Sequence, residues 1–433
     1  MIQKLREIFL DETIPSKHEY EYVKFTDPKL LYYAVTTDRT AKGEVFIKEG
    51  DYVTIGQVIG QRDGGFFKQN IHSTVSGTFK GVEKKFFKHG KKVECIVIEN
   101  DCKEVYCDSV TDLSKEEIDK FTKQDIIDAV ERNSIVGLGG SAFPTSIKLS
   151  IDKNIDTVIL NGVECEPYLV SDYFAIVKYS KEIILGLELI MKVYGASKGY
   201  VSVKSKNVEL YDCLTKELNL INNENITIKK VGNYYPQGYE KDVIKSTIGL
   251  SIPVTVMPAE HGIMVVNSTT SKAIYDAVKY NLPVLERDFL VTGQAINNPK
   301  TFLVKVGTHI PDIIEKCGGY KKEYPDKVLV IGGPMMGKSV ALDDVIASSS
   351  VTSVLVLPKI DDKEEPCVRC GSCVYSCPSK LAPIQIAKAV TAKNTDAVVK
   401  LNLKDCILCG MCSYVCTSKI PLTDMMSKGK KLI

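Results

Sequence analysis

The sequence has no excess of charge of either sign and no long apolar run, and both absences narrow its possible functions. It carries 56 basic and 54 acidic residues, which gives a formal net charge of +2. Binding to a phosphate backbone needs a large basic field, so we expect no nucleic-acid partner. The apolar run TSVLVLP, at 352–358, is far shorter than the roughly twenty residues that cross a bilayer, which predicts no direct membrane insertion.

The sequence also lacks the pattern of a signal peptide near residue 1 and has few histidines. In residues 1–22, Asp11 and Glu12 follow a short apolar patch directly, so the continuous apolar core of a signal peptide is missing. We therefore expect a cytoplasmic protein. The chain has only five histidines. We interpret His72 as structural because no metal ligands flank it, and we interpret His261 as structural rather than as a general acid or base.

The length predicts several domains, because a chain of 433 residues is too long for one hydrophobic core. Short alternating apolar runs broken by Gly and Asp predict a compact β unit, and its paired phrases resemble the two halves of a barrel-sandwich hybrid. Alternating strands and helices then predict an α/β domain with a largely parallel sheet, followed by a small α+β module. The predicted divisions are an extension at 1–42, the β unit at 43–102, the α/β domain at 115–285, the α+β module at 286–358 and a cysteine-rich domain at 361–427.

Local signals place three elements within the α/β domain. Thr122 and Asp125 have the spacing of a capping box, which predicts the start of a helix. The apolar run at 155–164 predicts a buried strand, and the run at 181–195 predicts a long helix that ends at Gly195.

Eight of the fourteen cysteines lie in two runs of the form C-x2-C-x2-C-x3-C, CVRCGSCVYSCP at 367–378 and CILCGMCSYVCT at 406–417. In a reducing compartment such cysteines favour metal ligation over disulfides. Zinc is the alternative, but zinc sites use two pairs of ligands, whereas these cysteines come as two triplets with a fourth set apart. In two-cluster proteins the last cysteine of each run ligates the other cluster. The runs therefore predict two [4Fe-4S] clusters, one held by Cys367, Cys370, Cys373 and Cys416, the other by Cys406, Cys409, Cys412 and Cys377.

A glycine-rich loop, VGLGGSAFPTSIKL at 136–149, is the second candidate site. It lacks the G-K-[ST] of a Walker A loop. Gly137, Gly139 and Gly140 would let backbone N–H groups approach a phosphate or an isoalloxazine ring, and Lys148 could supply a cation. A tight turn without a ligand fits the same residues, so the loop alone leaves both interpretations open.

Five motifs occur in one order ahead of the cysteine runs: GLGGSAFPTSIK, NGVECEPYL, YYPQGYEKDVI, VVNSTT and VIGGPMMG. In this order, over roughly residues 40–425, they resemble the RnfC family, the peripheral NADH-reacting subunit of the Rnf ferredoxin:NAD oxidoreductase complex. The flavin domain of that family is similar to the FMN-binding subunit of complex I, and the run at 289–319 resembles its soluble-ligand-binding β-grasp (SLBB) module. The resemblance implies a multidomain α/β and α+β fold, with a barrel-sandwich β module, a complex I-like FMN domain, an SLBB-like module and an α-helical two-cluster ferredoxin-like domain.

The resemblance also implies FMN as a cofactor and NAD(H) as a substrate, and it assigns residues to them. The implied flavin contacts are Gly137, Gly139, Gly140, Lys148 near the FMN phosphate, Asn161 and Glu164 beside the isoalloxazine, and Asn267 in the flavin-phosphate loop. The implied nucleotide contacts are Phe143 and Glu166.

The resulting hypothesis is an NADH-dependent oxidoreductase subunit that transfers electrons between NAD(H), FMN and the two clusters. Expected partners are other redox subunits, including membrane Rnf subunits, and ferredoxin or a partner reductase. Such partners would hold the chain peripherally on the inner face of the cell membrane. Two alternatives remain open: an RnfC-like paralogue that feeds an amino-acid, cobalamin or microcompartment reductase, and a flavin-free iron-sulfur relay.

Overall fold

The computed structural model describes residues 20–88, 90–360 and 363–433. Residues 1–19 hold the start of the predicted extension and most of the stretch that lacks a signal-peptide core, so those predictions lie outside the described residues. Within the described ranges, no helix combines the length and the apolar character needed to span a membrane.

The amino-terminal module is built from two small antiparallel sheets. Strand β1 (Glu21–Phe25) precedes this module in the chain and belongs to another sheet. The strands of the module are β2 (Leu30–Ala34), β3 (Lys42–Val45), β4 (Tyr52–Val53), β5 (Val58–Asp63), β6 (Lys68–His72), β7 (Gly77–Phe86) and β8 (Lys92–Asn100). One sheet has the order β2-β8-β7-β4 and the other the order β3-β5-β6. Alternate side chains, such as Ile59, Ile71, Ile96 and Ile98, are buried in a shared core because successive residues of a strand point to opposite faces.

A parallel α/β domain follows. Its elements are α1 (Lys115–Asp119), α2 (Lys123–Arg132), α3 (Thr145–Leu149), β9 (Thr157–Gly162), α4 (Ser171–Tyr194), β10 (Lys198–Lys204), α5 (Val208–Ile221), β11 (Ile226–Val231), α6 (Glu240–Ile248), a 3-10 turn (Pro258–His261), β12 (Ile263–Asn267) and α7 (Ser268–Lys279). The sheet order is β11-β10-β9-β12, with every neighbouring pair parallel. Residues 157–160 of β9 are buried, as expected for a central strand covered on both faces.

The local signals in this domain correctly predicted where two helices begin or end. Thr122 and Asp125 form the predicted capping box at the start of α2, and Gly195 ends α4 with a φ of 66°. The backbone is non-helical at Tyr179 (φ −128°, ψ 31°), so two helical segments meet there at a kink. The predicted helix at 181–195 corresponds to the segment after the kink, and a first segment that begins at Ser171 was not predicted as part of α4. Its first turns carry polar residues that the apolar pattern did not include.

The third module holds a six-stranded sheet. Its elements are β13 (Glu286–Thr292), β14 (Lys300–Lys305), α8 (Ile310–Lys316), β15 (Lys327–Ile331), β16 (Lys338–Val340) and β17 (Ser353–Pro358). The strand order is β1-β14-β13-β17-β15-β16, so β1 supplies an edge strand to a sheet formed much later in the chain. It pairs with β14 in parallel, Glu21 opposite Lys300 and Phe25 opposite Val304.

This pairing differs from the predicted extension at 1–42. Within that range, β1 belongs to the six-stranded sheet and β2 pairs with β8 of the first module. The interpretation as an extension was therefore wrong for residues 21–34. The cause is physical: an edge strand with one half-exposed face carries a weak apolar pattern, and its partner lies far along the chain.

The carboxy-terminal module is helical. Its elements are α9 (Ser372–Tyr375), α10 (Pro383–Thr391), α11 (Thr395–Lys400), a 3-10 turn (Leu403–Asp405), α12 (Met411–Tyr414) and α13 (Leu422–Lys430). The segment between the cysteine runs holds two helices, α10 and α11, followed by the 3-10 turn. The Asn394 side chain caps α11 and separates it from α10, a division that the apolar pattern does not mark.

Candidate functional site

The first candidate site lies at the carboxyl edge of the parallel sheet. Asn161 near the end of β9 and Asn267 at the end of β12 are direct register partners. The Asn267 side chain accepts a hydrogen bond from the Thr270 N–H and so caps α7, while its Nδ2 donates to Asp172 Oδ2 at 2.9 Å. The amino-terminal ends of α4 and α7 thus meet at one place, where both helix dipoles favour an anionic group.

The glycine loop packs against this edge. The N–H of Leu138 donates to Thr270 Oγ1 at 2.9 Å, which fastens the loop to α7. A Cβ added to Gly139 would lie 3.2 Å from Asn267 Nδ2, and Gly140 has a φ of +99°, a conformation that favours glycine. Glycine is therefore favoured at both positions, at 139 by the close approach of Asn267 and at 140 by the backbone conformation. Contact of this backbone with a flavin phosphate or ring stays a prediction.

Lys148 of α3 lies beneath the same edge. Its Nζ donates to the Val265 carbonyl at 2.5 Å and stands 3.7 Å from Glu240 Oε1. The structure therefore brings the lysine next to β12, two residues before the asparagine that ends the strand. Contact with a flavin phosphate stays a prediction.

Asn161 and Glu164 are held by neighbouring segments of the domain. Asn161 Nδ2 donates to the Gly238 carbonyl at 2.9 Å, and Asn161 Oδ1 accepts from the Val163 N–H at 3.0 Å. Ser171 Oγ donates to Glu164 Oε1 at 3.3 Å. The structure thus gathers the three glycines, Asn161, Glu164 and Asn267 at one edge of the sheet.

The two predicted nucleotide contacts diverge from each other. The Phe143 ring lies under the guanidinium of Arg39, with 5.7 Å between Cζ and the ring centroid. Glu166 instead turns to the loop between β15 and β16, where its carboxylate accepts from the Met335 N–H at 3.1 Å and the Met336 N–H at 2.7 Å. Burial raises the pKa of Glu166 to about 7, and the two amide donors oppose that rise.

The cysteine runs form the second candidate site. One cavity is lined by Cys377, Cys406, Cys409 and Cys412, together with apolar side chains such as Leu381 and Met426. This is the ligand set predicted for the second cluster, with one cysteine from the first run and three from the second, and sulfur donors in an apolar cavity fit an iron-sulfur cluster.

The other cysteine set lies at the outer end of this module. Cys373 is close enough to Cys370 and Cys416 for their charges to affect its titration, and Cys367 and Cys370 are exposed. Within the described ranges, no three His, Cys, Asp or Glu side chains are arranged around a single metal ion. A cubane does not need that arrangement, because each thiolate binds a different iron.

The cysteine module and the α/β domain meet at a junction. The hydroxyl of Tyr235 donates to the carbonyl of Cys409 at 2.7 Å, and a Cβ added to Gly410 would lie 2.6 Å from the Met335 carbonyl. A small apolar cluster surrounds these contacts, formed by Cys165, Tyr235, Met335, Ile407, Cys409, Met411 and Val415. The second cysteine run therefore packs directly on the α/β domain.

Several residues of the site carried no usable sequence signal. Arg287 of β13 is 4% exposed and reaches the glycine loop, where Nη2 lies 3.4 Å from the Leu138 carbonyl. Burial lowers the pKa of Arg287, while the charge of Asp172 raises it. Tyr235 stands within one of the five motifs, but nothing in its spacing indicates a contact with the cysteine module.

Comparison with known protein families matches four regions of the chain. The descriptions and matched residues are the RnfC barrel sandwich hybrid domain at 16–103, the Nuo51 FMN-binding domain at 130–276, the SLBB domain at 289–339 and a 4Fe-4S dicluster domain at 366–420. The predicted fold class and the predicted FMN and [4Fe-4S] cofactors are confirmed by these matches.

Similar proteins of known name cover most of the chain. One belongs to the Na(+)-translocating ferredoxin:NAD(+) oxidoreductase complex of Acetobacterium woodii and is 35% identical over 366 residues, 83% of this chain and 81% of that one. A second belongs to the proton-translocating ferredoxin:NAD(+) oxidoreductase complex of Clostridium ljungdahlii and is 34% identical, covering 83% and 78%. A third belongs to the ion-translocating oxidoreductase complex of Rhodobacter capsulatus and is 32% identical, covering 93% and 78%. With the barrel-sandwich match, these relatives show that the chain belongs to the RnfC family.

Proposed function

We propose that this chain is an oxidoreductase subunit that transfers electrons between NAD(H) and two [4Fe-4S] clusters through FMN. The observation that carries the proposal is the junction at Tyr235 and Cys409, which joins the glycine-loop domain to the second cysteine run without an intervening module. Nicotinamide exchanges electron pairs and clusters exchange single electrons. Bound FMN would supply the conversion between the two.

The residues at the sheet edge would bind and orient the flavin. The backbone of Gly139 and Gly140 offers N–H groups beside Asn267, which itself is fixed by Asp172 and by the cap of α7. Lys148 supplies the nearby cation on the β12 side. Together they favour a phosphate-bearing ring system at the carboxyl edge, the usual location of ligands in open α/β sheets.

The nucleotide would approach from the side of Phe143. An aromatic face gives a stacking surface, and Arg39 already covers part of it. The Glu166 carboxylate already accepts hydrogen bonds from the main-chain N–H groups of Met335 and Met336. Its role is therefore to fasten the β15–β16 loop to the α/β domain, and contact with the nucleotide would need that fastening to open.

The two clusters would act in a fixed order. The set containing Cys377, Cys406, Cys409 and Cys412 adjoins the α/β domain through Tyr235, so it exchanges electrons with the flavin. The other set contains the exposed Cys367 and Cys370, so it faces outward. A redox partner would dock at that outer end.

The partner and location follow from the family. The named relatives are subunits of ion-translocating ferredoxin:NAD(+) oxidoreductase complexes. We propose that this chain occupies the same place in such a complex, with ferredoxin or a neighbouring redox subunit at the outer cluster. Membrane association would then come from the other subunits, on the cytoplasmic face.

The test is anaerobic reconstitution of the full chain with iron, sulfide and FMN. We expect FMN to be released on heating and NADH to bleach the absorbance of the clusters. Lys148→Gln should weaken FMN binding, whereas Lys153→Gln, at an exposed lysine shortly after α3, should not. The proposal would be refuted if dithionite reduces the clusters but the chain binds no FMN and the clusters do not respond to NADH. The chain would then be an iron-sulfur relay without a flavin.

A further inference from the structure

A cleft away from the sheet edge and the clusters is lined by an unusual set of charges. It lies where the barrel-sandwich module, residues Val136 and Ala142 of the glycine loop and the β16–β17 loop meet. Its cavity volume is about 120 Å³, which gives room for an ion of phosphate size together with a few waters. Among the described residues that line it, the cations are Arg39, Arg62 and Lys88, and the one acid is Asp38. An anion is therefore the ligand that its charges favour.

Arg62 turns its donors into this cleft. Its Nε donates to the Ala34 carbonyl at 2.8 Å, but Nη1 and Nη2 donate to no residue in the described part of the chain. The neighbouring His72 adds no positive charge of its own at neutral pH, because burial, with a smaller effect from Arg62, lowers its pKa to about 4. A half-buried guanidinium whose two terminal amino groups have no partner among the described residues is a site for a bidentate anion.

Lys88 approaches from the opposite wall. Its Nζ donates to Ser350 Oγ at 3.0 Å, and two further hydroxyls, those of Ser348 and Ser349, line the same wall. Burial lowers the pKa of Lys88; among nearby charges, Asp38 raises it and Arg39 lowers it. Burial therefore disfavours the charged form of Lys88, and an anion bound beside its Nζ would offset that cost.

We propose that this cleft binds the phosphate group of a small molecule, between Arg62 on one side and Lys88 with Ser350 on the other. Three lining cations against one acid leave two positive charges, which matches a phosphate dianion better than a single carboxylate. The hydroxyls add donors for the third phosphate oxygen. The site is separate from the flavin edge, where Lys148 is the cation, and it does not depend on the proposed function.

One consequence of phosphate binding, unlike the binding itself, rests on the proposed function: the bound phosphate would stiffen one wall of the proposed nucleotide approach. Arg39 lines the cleft, donates from Nη2 to the Ser141 carbonyl at 2.8 Å and covers Phe143. An anion that binds Arg39 would therefore also restrain Ser141 and Phe143 of the glycine loop. Two sources share this chemistry, a free phosphate and the phosphate of a nucleotide.

The test is calorimetric titration of inorganic phosphate into the full chain, reconstituted with clusters and saturated with FMN. Wild type should bind one phosphate, and Lys88→Gln should weaken the affinity about tenfold, the usual effect of losing one charged hydrogen bond. Lys68→Gln, the same change at an exposed position of β6, should leave it unaltered. Ser350→Ala, which alters no charge, is a second variant should Lys88→Gln fail to fold, and it should weaken binding less.

Competition with ADP separates the two sources. Displacement of phosphate by ADP would identify a nucleotide as the ligand, and phosphate binding that ADP leaves intact would identify a free phosphate. Absence of saturable binding to wild type would overturn the proposal. So would binding that Lys148→Gln abolishes and Lys88→Gln does not, because the anion would then occupy the flavin edge.

Discussion

The hydroxyl of Tyr235 donates a hydrogen bond to the main-chain carbonyl of Cys409, although the two residues belong to different modules. The donor stands in the loop before α6, and the acceptor is a predicted ligand of the second cluster. Burial raises the pKa of Tyr235 far above its ordinary value, so the hydroxyl keeps its proton and remains a donor. The bond fixes the second cysteine run against the flavin domain.

Tyr235→Phe should loosen this junction. The variant keeps the ring in its apolar cluster but leaves the buried Cys409 carbonyl without its donor, a cost of about 1 to 1.5 kcal/mol. Anaerobic thermal unfolding should show a lower midpoint, and NADH should bleach the clusters more slowly. Tyr414→Phe, at a tyrosine that is 52% exposed, is the matched control and should match wild type. Equal midpoints in both variants would contradict a role for the bond.

Cys377→Ala and Cys416→Ala should each remove a different cluster. If the ligands cross between the runs, either variant should lower the iron content from about eight to about four atoms per chain. Cys377→Ala removes the cluster beside Tyr235, so NADH should no longer bleach the cluster that remains. Cys416→Ala removes the outer one, so NADH should still bleach the inner cluster. The reverse pattern in the NADH response would show that the order of the clusters is wrong.

Asn267 offers a test of the sheet edge. Asn267→Ser keeps an acceptor for the cap of α7 but lacks the amide that donates to Asp172. Asn267→Asp also keeps the cap, but it sets a carboxylate against that of Asp172 and close to a flavin phosphate. We expect the aspartate variant to bind FMN at least about tenfold more weakly than the serine variant, since like charges at contact cost more than about 1.4 kcal/mol. Quenching of FMN fluorescence measures both affinities, and equal values would contradict the arrangement.

Glu166 should make the stability of the protein depend on pH. Burial raises its pKa from 4.5 to about 7. Between these values the folded chain holds a proton that the unfolded chain has released, so the contribution of this group to the free energy of unfolding falls as the pH rises through that window and is constant above it.

Glu166→Gln removes this dependence. The midpoint of thermal unfolding of wild type, relative to the variant, should fall by a few degrees between about pH 5 and about pH 8. Glu116→Gln, at an exposed position in the first turn of α1, should follow wild type across the range. Parallel curves for wild type and Glu166→Gln would show that the carboxyl is already ionised at low pH.

The parts of the fold that could be predicted are those with local causes. Cluster ligands follow from spacings of three or four residues, and the cap at Thr122 depends on a side chain three residues away. The pairing of β1 with β14 and the reach of Arg39 to the glycine loop join distant segments. A single sequence records which face of a strand is apolar, but it does not record which distant segment will cover that face.

Strand β1 must remain unpaired during much of the synthesis of the chain. It leaves the ribosome before the other strands that the structure describes, yet its partner β14 begins only at Lys300, on the order of 15 to 55 seconds later at roughly 5 to 20 residues per second. During that interval the barrel-sandwich strands can pair among themselves, while an unpaired strand remains beside them with open backbone donors. Nascent chains halted before Lys300 should therefore be recognised by chaperones through that strand, and full-length chains should not.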